Sequence, residues 1–134
     1  MTQSNEYLSK EGYAFMGAVF EVYKELGCGL CEEIYQESLE LELGWRNITF
    51  SPQSQLDVFY KGHRLNKRYI PDLLVSNEIV VELKAVKAIT SEHEQQLLNY
   101  MHITPKAVGY LVNFGTPKSV EWKRYILSQY IPEQ

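Results

Sequence analysis

Residues 69–86, "YIPDLLVSNEIVVELKAV", constrain the fold more than any other stretch of the chain. Two short apolar runs separated by the polar turn "SNE" predict a buried β-hairpin. The hairpin nevertheless contains Asp72, Glu82 and Lys84. A buried charge is costly unless it is paired or bound to a metal ion. The sequence therefore needs a structural or chemical reason to keep these three residues.

The expected pairing of the hairpin brings the charges together. If the turn is centred on Asn77, Asp72 lies directly opposite Glu82. Opposite residues share one face of a hairpin, with Cβ atoms about 5 Å apart. Lys84 shares that face because it lies two residues after Glu82. A two-residue turn would instead shift the register by one residue and leave the carboxylates as diagonal neighbours.

Two interpretations of this cluster remain open on hairpin geometry alone. Close carboxylates repel each other, so one of them becomes protonated unless a cation lies between them. Mg²⁺, with Mn²⁺ as a substitute, suits such oxygen ligands and retains several waters. Lys84 would then orient or help deprotonate a water, or neutralise charge on a phosphate. The alternative is a structural ion-pair network of Asp72, Lys84 and Glu82.

Composition limits the function classes. The chain has 134 residues, of which 45% are hydrophobic and 22% charged, so we expect a single domain over residues 1–134. A net charge of −4 argues against a protein that mainly coats nucleic acid, but not against an enzyme that contacts a few phosphates. The basic run "KGHRLNKR" at residues 61–68 is either a solvated hairpin tip or a phosphate-contacting edge.

Targeting and redox signals are weak. The N-terminal residues have no signal-peptide pattern and no apolar run is long enough for a membrane span, so we expect a cytoplasmic protein without membrane contact. Cys28 and Cys31 form a C-x-x-C pair. The pair follows an amphipathic helix and lacks further metal ligands at suitable spacing. We therefore expect small packing residues at a helix boundary.

Hydrophobic periodicity predicts two helices near the N-terminus. The first covers residues 7–26 and is ended by "GCG" at residues 27–29. The second covers residues 30–43 and is closed by Gly44.

Strands and one further helix follow. The predicted strands cover residues 53–61, 68–75, 78–85, 107–114 and, as a final edge strand, 119–127. The helix begins at a cap formed by Thr90 or Ser91 and ends before Pro105. This order predicts an α/β fold with a single mixed β-sheet flanked by helices.

Three motifs together resemble the PD-(D/E)XK nuclease superfamily. Pro71 and Asp72, followed by "ELK" with Glu82 and Lys84, are similar to its signature. "GLCEEIY" is similar to the Gly-x-x-Glu-x-x-Tyr pattern of the GxxExxY proteins, a compact branch of that superfamily. "QLLNY" resembles the Gln-x-x-x-Tyr motif of RecB-like nucleases. The matching residues of these last two motifs are Gly29, Glu32, Tyr35, Gln96 and Tyr100.

The resemblance implies a fold and a set of roles. The superfamily core is a restriction-endonuclease-like αβββαβ arrangement, which the element order above also gives, with an extra N-terminal helix here. Residues at metal-ligand positions would be Glu32, Asp72, Glu82 and the carbonyl of Leu83. The resemblance makes Lys84 the catalytic lysine, assisted by Gln96 and Tyr100. Read individually, Glu32 also suits the first turn of a helix, Gln96 a solvated surface and Tyr100 the core.

The function we expect is a metal-dependent nuclease that hydrolyses phosphodiester bonds with a metal-activated water. The partner would be nucleic acid, with DNA favoured, and an edge strand makes a homodimer or a partner protein plausible. The alternative is a non-catalytic nucleic-acid-binding or scaffold subunit on the same fold. Acid–base chemistry on a small molecule is less favoured, because no histidine or nucleophile can be placed near the cluster.

Overall fold

The computed structural model describes residues 6–133. Its helices are α1 (Ser9–Leu26), α2 (Glu32–Trp45) and α3 (Ser91–Ile103). Its strands are β1 (Phe50–Pro52), β2 (Leu56–Tyr60), β3 (His63–Tyr69), β4 (Leu73–Val75), β5 (Ile79–Lys84), β6 (Val108–Asn113) and β7 (Glu121–Ile126), and a 3₁₀ turn (Ser128–Tyr130) follows. Across these residues, no helix is both apolar and long enough to cross a membrane.

Five strands form a mixed sheet in the order β1-β4-β5-β6-β7. Strands β5 and β6 run parallel, and the other neighbouring pairs are antiparallel. Parallel neighbours need a crossover connection, which α3 provides here. The predicted mixed sheet flanked by helices is therefore confirmed.

A second, two-stranded sheet pairs β2 with β3, and we call it the ribbon. The prediction that all strands join one sheet is wrong for these residues. The strand predicted at 53–61 corresponds to β2, whereas the strand that pairs with β4 in the main sheet is β1. The predicted strand at 68–75 is interrupted because Pro71 has no N–H to donate to a ladder. Most of the basic run forms β3. This strand is largely exposed and lacks the apolar alternation from which a strand is predicted.

Each face of the main sheet is covered by a separate hydrophobic cluster. On one face, α1 and α2 pack Phe15, Val19 and Leu39 against the odd-numbered residues of β5. On the other face, α3 and the ribbon pack against the even-numbered residues Val80 and Leu74. Strand β6 is buried along its whole length because both faces around it are covered.

The hairpin that contains the charged residues has the predicted register. Val75 pairs with Ile79, and Leu74 pairs with Val80. Ser76 and Asn77 make the turn with positive φ angles of 53° and 63°. The ladder ends at Leu73 and Val81, so Asp72 is the next residue beyond it, beside Glu82.

The helix ends differ slightly from the prediction. Helix α1 begins at Ser9 rather than at residue 7 and ends before Gly27, as expected. Helix α2 begins at Glu32 and continues past Gly44 to Trp45. Asn47, with φ 58°, takes the left-handed conformation that glycine was expected to supply.

Candidate active site

Strand β5 places two of the predicted site residues, Glu82 and Lys84, on the face of the main sheet that α3 covers. Ile79, Val81 and Leu83 point into the α1–α2 cluster. The intervening residues face α3, and Glu82 and Lys84 are half-buried there. Strict alternation along a strand therefore places both charges on one side of the sheet, at the strand's carboxyl end.

Beyond the end of β4, the Asp72 side chain bonds β5 where a strand partner would otherwise do so. Its Oδ2 accepts a hydrogen bond from the backbone N–H of Leu83 at 2.7 Å. Its backbone carbonyl accepts from Gln36 Nε2 at 2.8 Å. The N–H and C=O of one strand residue point to the same side, so the Leu83 carbonyl also faces the Asp72 side. Beyond the end of β4, the Asp72 carboxylate and the Leu83 carbonyl therefore lie on the same side of β5.

Glu32 is the first residue of α2, and Tyr35 fixes the loop that leads to it. The Tyr35 hydroxyl donates to the Gly27 carbonyl at 2.5 Å and accepts from the Leu30 N–H at 3.3 Å. Its fully buried ring stacks on Phe114 at 4.5 Å between centroids. Gly29 has φ 107°, a conformation that favours glycine. The spacing Gly-x-x-Glu-x-x-Tyr thus has a local structural basis.

The acidic residues influence each other electrostatically. Desolvation and the neighbouring charge of Asp72 raise the pKa of Glu32, while Lys84 acts in the opposite direction. Burial raises the pKa of Glu82 to about 7, with Asp72 adding to the rise and the Tyr69 hydroxyl opposing it. Asp72 therefore repels both Glu32 and Glu82, and a cation beside it would offset this repulsion.

Tyr69 contacts the cluster from the ribbon. Its hydroxyl donates a hydrogen bond to Glu82 Oε2. Burial and the charge of Glu82 raise the pKa of Tyr69. The Tyr69 ring stacks on Tyr100 of α3, with centroids 4.1 Å apart and planes 11° apart. Tyr100 is thus connected to Glu82 through one intervening ring.

A cavity of about 350 Å³ opens beside these groups, between the ribbon and α3. Glu82 and Lys84 lie at its base, with Gln96 and Tyr100 on the α3 wall and Lys67 on the ribbon wall. Gln96 is exposed and Tyr100 half-buried, so both face space that a substrate can enter. Asp72 and Glu32 do not line this cavity.

The donor set is compatible with a hard cation. Carboxylate and carbonyl oxygens are the ligands that Mg²⁺ takes, and its charge would offset the repulsion that Asp72 exerts on Glu32 and Glu82. In residues 6–133, no three His, Cys, Asp or Glu side chains are already grouped closely enough to hold a metal ion. The Glu82 carboxylate is instead bound to Tyr69.

His93, which lines the cavity, and the two cysteines have other roles or lie apart from the site. His93 Nδ1 accepts from the Thr90 N–H at 3.1 Å, so this histidine completes the cap of α3. Cys28 and Cys31 are free and lie at the boundary between α1 and α2, as expected, but they are exposed rather than packed. The buried residue that contacts their loop is Tyr35, whose hydroxyl bonds the backbone of Gly27 and Leu30.

Sequence reasoning did not identify Tyr69 and Gln36 as neighbours of the site. Gln36 lies one helical turn after Glu32, a spacing that places both on the same side of α2. That spacing was available as a signal. Tyr69 lies three residues before Asp72 along the chain, a position that indicates no contact with Glu82.

Comparison with known proteins places this arrangement in a family. The family model described as the PD-(D/E)XK nuclease superfamily matches residues 9–125. The chain belongs to this superfamily. Two solved structures share the fold of this chain. One, titled "Crystal structure of SSO0001", has a TM-score of 0.54 and 20% identity, and the match covers 70% of this chain and 50% of that chain.

The second solved structure is an alkaline exonuclease (LHK-Exo) from Laribacter hongkongensis. It has a TM-score of 0.51 and 12% identity, and the match covers 72% of this chain and 56% of that chain. The chain thus aligns with only about half the length of either structure. Comparison with curated protein sequences gave no match.

Proposed function

We propose that the protein is a Mg²⁺-dependent nuclease that hydrolyses phosphodiester bonds of nucleic acid, with DNA as the favoured substrate. The observation that carries this proposal is the position of Glu82 and Lys84 at the end of β5, beside Asp72 and at the base of an open cavity. The superfamily membership and the exonuclease-like fold support it.

The metal would be held by the carboxylates of Asp72, Glu82 and Glu32 and by the carbonyl of Leu83. Mn²⁺ has similar ligand preferences and is expected to substitute. A bound Mg²⁺ would act as a Lewis acid that activates the attacking water and offsets charge developing on the phosphate.

The remaining side chains act on the substrate. The Lys84 ammonium lies in the cavity and would neutralise charge on the scissile phosphate or orient the water. Gln96 and Tyr100 are one helical turn apart on the same wall. Gln96 would donate to the phosphate backbone, while Tyr100 supports the Tyr69 ring that holds Glu82.

We also propose assignment to the GxxExxY branch of the superfamily. The support is structural: Gly29 has a positive φ, Glu32 opens α2, and Tyr35 closes the loop between them. This arrangement gives each named position of the motif a distinct role in placing one carboxylate.

A non-catalytic scaffold or nucleic-acid-binding subunit remains the alternative. Two observations favour it: Glu82 is hydrogen-bonded to Tyr69, and Asp72 to the Leu83 N–H, so both carboxylates already have structural partners. A homodimer, or a partner protein, could use the outer strand β7. Neither assembly is required by the proposed chemistry.

Metal-dependent thermal stability tests the site directly. The wild type is expected to melt at higher temperature in Mg²⁺ or Mn²⁺ than in EDTA. The gain should be about 2.7 kcal/mol at a hundredfold excess of metal over Kd. The double variant Asp72→Asn with Glu82→Gln should lose this gain, and NaCl at matched ionic strength should not produce it. Equal gains in both proteins would contradict the proposed ligand set.

Nuclease assays then separate the enzyme from the scaffold. Lys84→Met should abolish Mg²⁺-dependent cleavage of labelled oligonucleotides while it keeps the metal-dependent rise in melting temperature. The matched control is Lys87→Met, three residues further along and exposed. If the wild type binds metal but cleaves neither DNA nor RNA, the scaffold interpretation replaces the nuclease.

A further inference from the structure

We propose that the ribbon and α3 form the two walls of a channel that binds single-stranded nucleic acid and leads it to the site. This inference rests on the proposed function and specifies its substrate class. It depends on how charge and aromatic rings are distributed over the two walls.

Positive charge is concentrated on the ribbon. The chain has 13 Lys and Arg against 17 Asp and Glu. Residues 61–68 hold four of these cations and no acid, which leaves nine cations against 17 acids, a formal charge of −8, elsewhere. A polyanion would therefore be attracted to this part of the molecule and repelled by most of the remaining surface.

The cations of the ribbon extend to the site. Arg64 and Lys67 are exposed on β3. Lys67 and Arg68 line the same cavity as Lys84. Arg68 is held in place by Asp57 at 3.2 Å and by the Leu65 carbonyl at 2.9 Å. A phosphate backbone that follows β3 would therefore stay close to cationic side chains until it reaches Lys84.

The ribbon also presents an aromatic ring. Tyr60, at the end of β2, is 61% exposed and pairs with His63 across the ribbon. The Lys61 ammonium lies 5.5 Å from the centre of the Tyr60 ring. Exposed rings interleaved with cations are typical of surfaces on which unpaired bases stack.

The opposite wall has a different chemistry. Along α3, Gln96 and Tyr100 line both the site cavity and a second cavity of about 480 Å³. The second cavity is also lined by Gln95, Asn99 and Glu92. These amides can hydrogen-bond to base edges, and the carboxylate of Glu92 disfavours phosphate on this side.

This asymmetry favours a single strand over a duplex. A single strand has one charged edge and one edge of exposed bases, which match one basic wall and one wall of amides and a ring. A duplex carries phosphates on both strands and keeps its bases stacked inside. The amide wall would then have no exposed base faces or Watson–Crick edges to bind.

Fluorescence anisotropy with labelled oligonucleotides of about 12 nucleotides, within the usual range of single-strand sites, tests the inference. DNA and RNA single strands and the blunt DNA duplex are compared in EDTA, which prevents cleavage. We expect a single strand to bind at least about tenfold tighter than the duplex. Whichever of the DNA and RNA single strands binds more tightly identifies the sugar that the channel prefers.

Ribbon variants locate the binding surface. Arg64→Ala with Lys67→Ala should weaken single-strand binding about tenfold and reduce the slope of log Kd against log salt by about 1.4. Tyr60→Ala should weaken it at least about fivefold through lost stacking. The matched controls, Lys10→Ala with Lys24→Ala and Tyr13→Ala, lie on α1, on the other side of the sheet, and should bind like the wild type.

Three results would overturn the inference: equal or tighter duplex binding, ribbon variants that bind like the wild type, or no binding of any oligonucleotide. Its failure differs from failure of the nuclease proposal. Mg²⁺-dependent cleavage that the ribbon variants leave unchanged refutes only the channel. Ribbon-dependent binding of single strands without cleavage refutes only the nuclease.

Discussion

Asn113 is a fully buried polar residue at the end of β6, and its amide makes four hydrogen bonds. Its Oδ1 accepts from the N–H groups of Val86 at 2.9 Å and Gly115 at 3.0 Å. Its Nδ2 donates to the Val86 carbonyl at 2.9 Å and to Glu121 at 3.0 Å. The segment that follows Lys84 is therefore fixed to the neighbouring strand by one side chain.

Replacement of Asn113 by Leu should destabilise the protein by about 3 kcal/mol or more, because several buried groups lose their partners at about 1–3 kcal/mol each. Urea unfolding of the variant measures this loss. Asn99→Leu, on the exposed side of α3, is the matched control and should change stability by less than about 0.5 kcal/mol. Similar losses in both variants would mean that the Asn113 network contributes little.

At the scale of elements, the sequence predicted most of what lies near the site. The hairpin register, the Thr90 cap of α3 and the final edge strand followed from alternation, turn and capping patterns. The ribbon could not be predicted as a separate sheet, because β3 is exposed along most of its length and has no apolar alternation. The contact from Tyr69 to Glu82 depends on how that ribbon folds back, which no local pattern encodes.

The close approach of two connecting segments gives a prediction at this scale. A Cβ on Gly115 would lie 2.2 Å from the Val86 carbonyl oxygen, which belongs to backbone that cannot easily yield. Gly115→Ala should therefore displace the segment after β5 and lower the melting temperature. Gly44→Ala is the matched control, since a Cβ there meets no atom within 4 Å. In helix α2 it should raise stability by roughly 0.5–1 kcal/mol. Equal effects of the two changes would refute the proposed steric conflict.

For the whole molecule, protection from solvent is unevenly distributed. Strands β5 and β6 lie in the middle of the main sheet between two hydrophobic clusters. Only the base of the ribbon is buried, through Val58 and Tyr69. The prediction of one domain over residues 1–134, and that of a cytoplasmic location, stay predictions.

Hydrogen exchange monitored by mass spectrometry should reflect this distribution. Amides of β5 and β6 should exchange slowest, because their opening requires global unfolding, and those around Lys61 and Gly62 should exchange fastest. Addition of a single-stranded oligonucleotide should slow exchange in the ribbon and leave α1 unchanged. A ribbon as protected as β6 in the free protein would contradict this expectation.

The three-residue turn at Ser76, Asn77 and Glu78 determines where the chain tolerates insertions. Longer loops there would leave the pairing of Val75 with Ile79, and hence the positions of Asp72 and Glu82, unchanged. A single residue added within β4 or β5 would instead rotate the charged side chains toward the α1–α2 cluster. The number of residues between the two carboxylates is therefore free to vary among proteins with this site. The number of strand residues that separates each carboxylate from the turn is not.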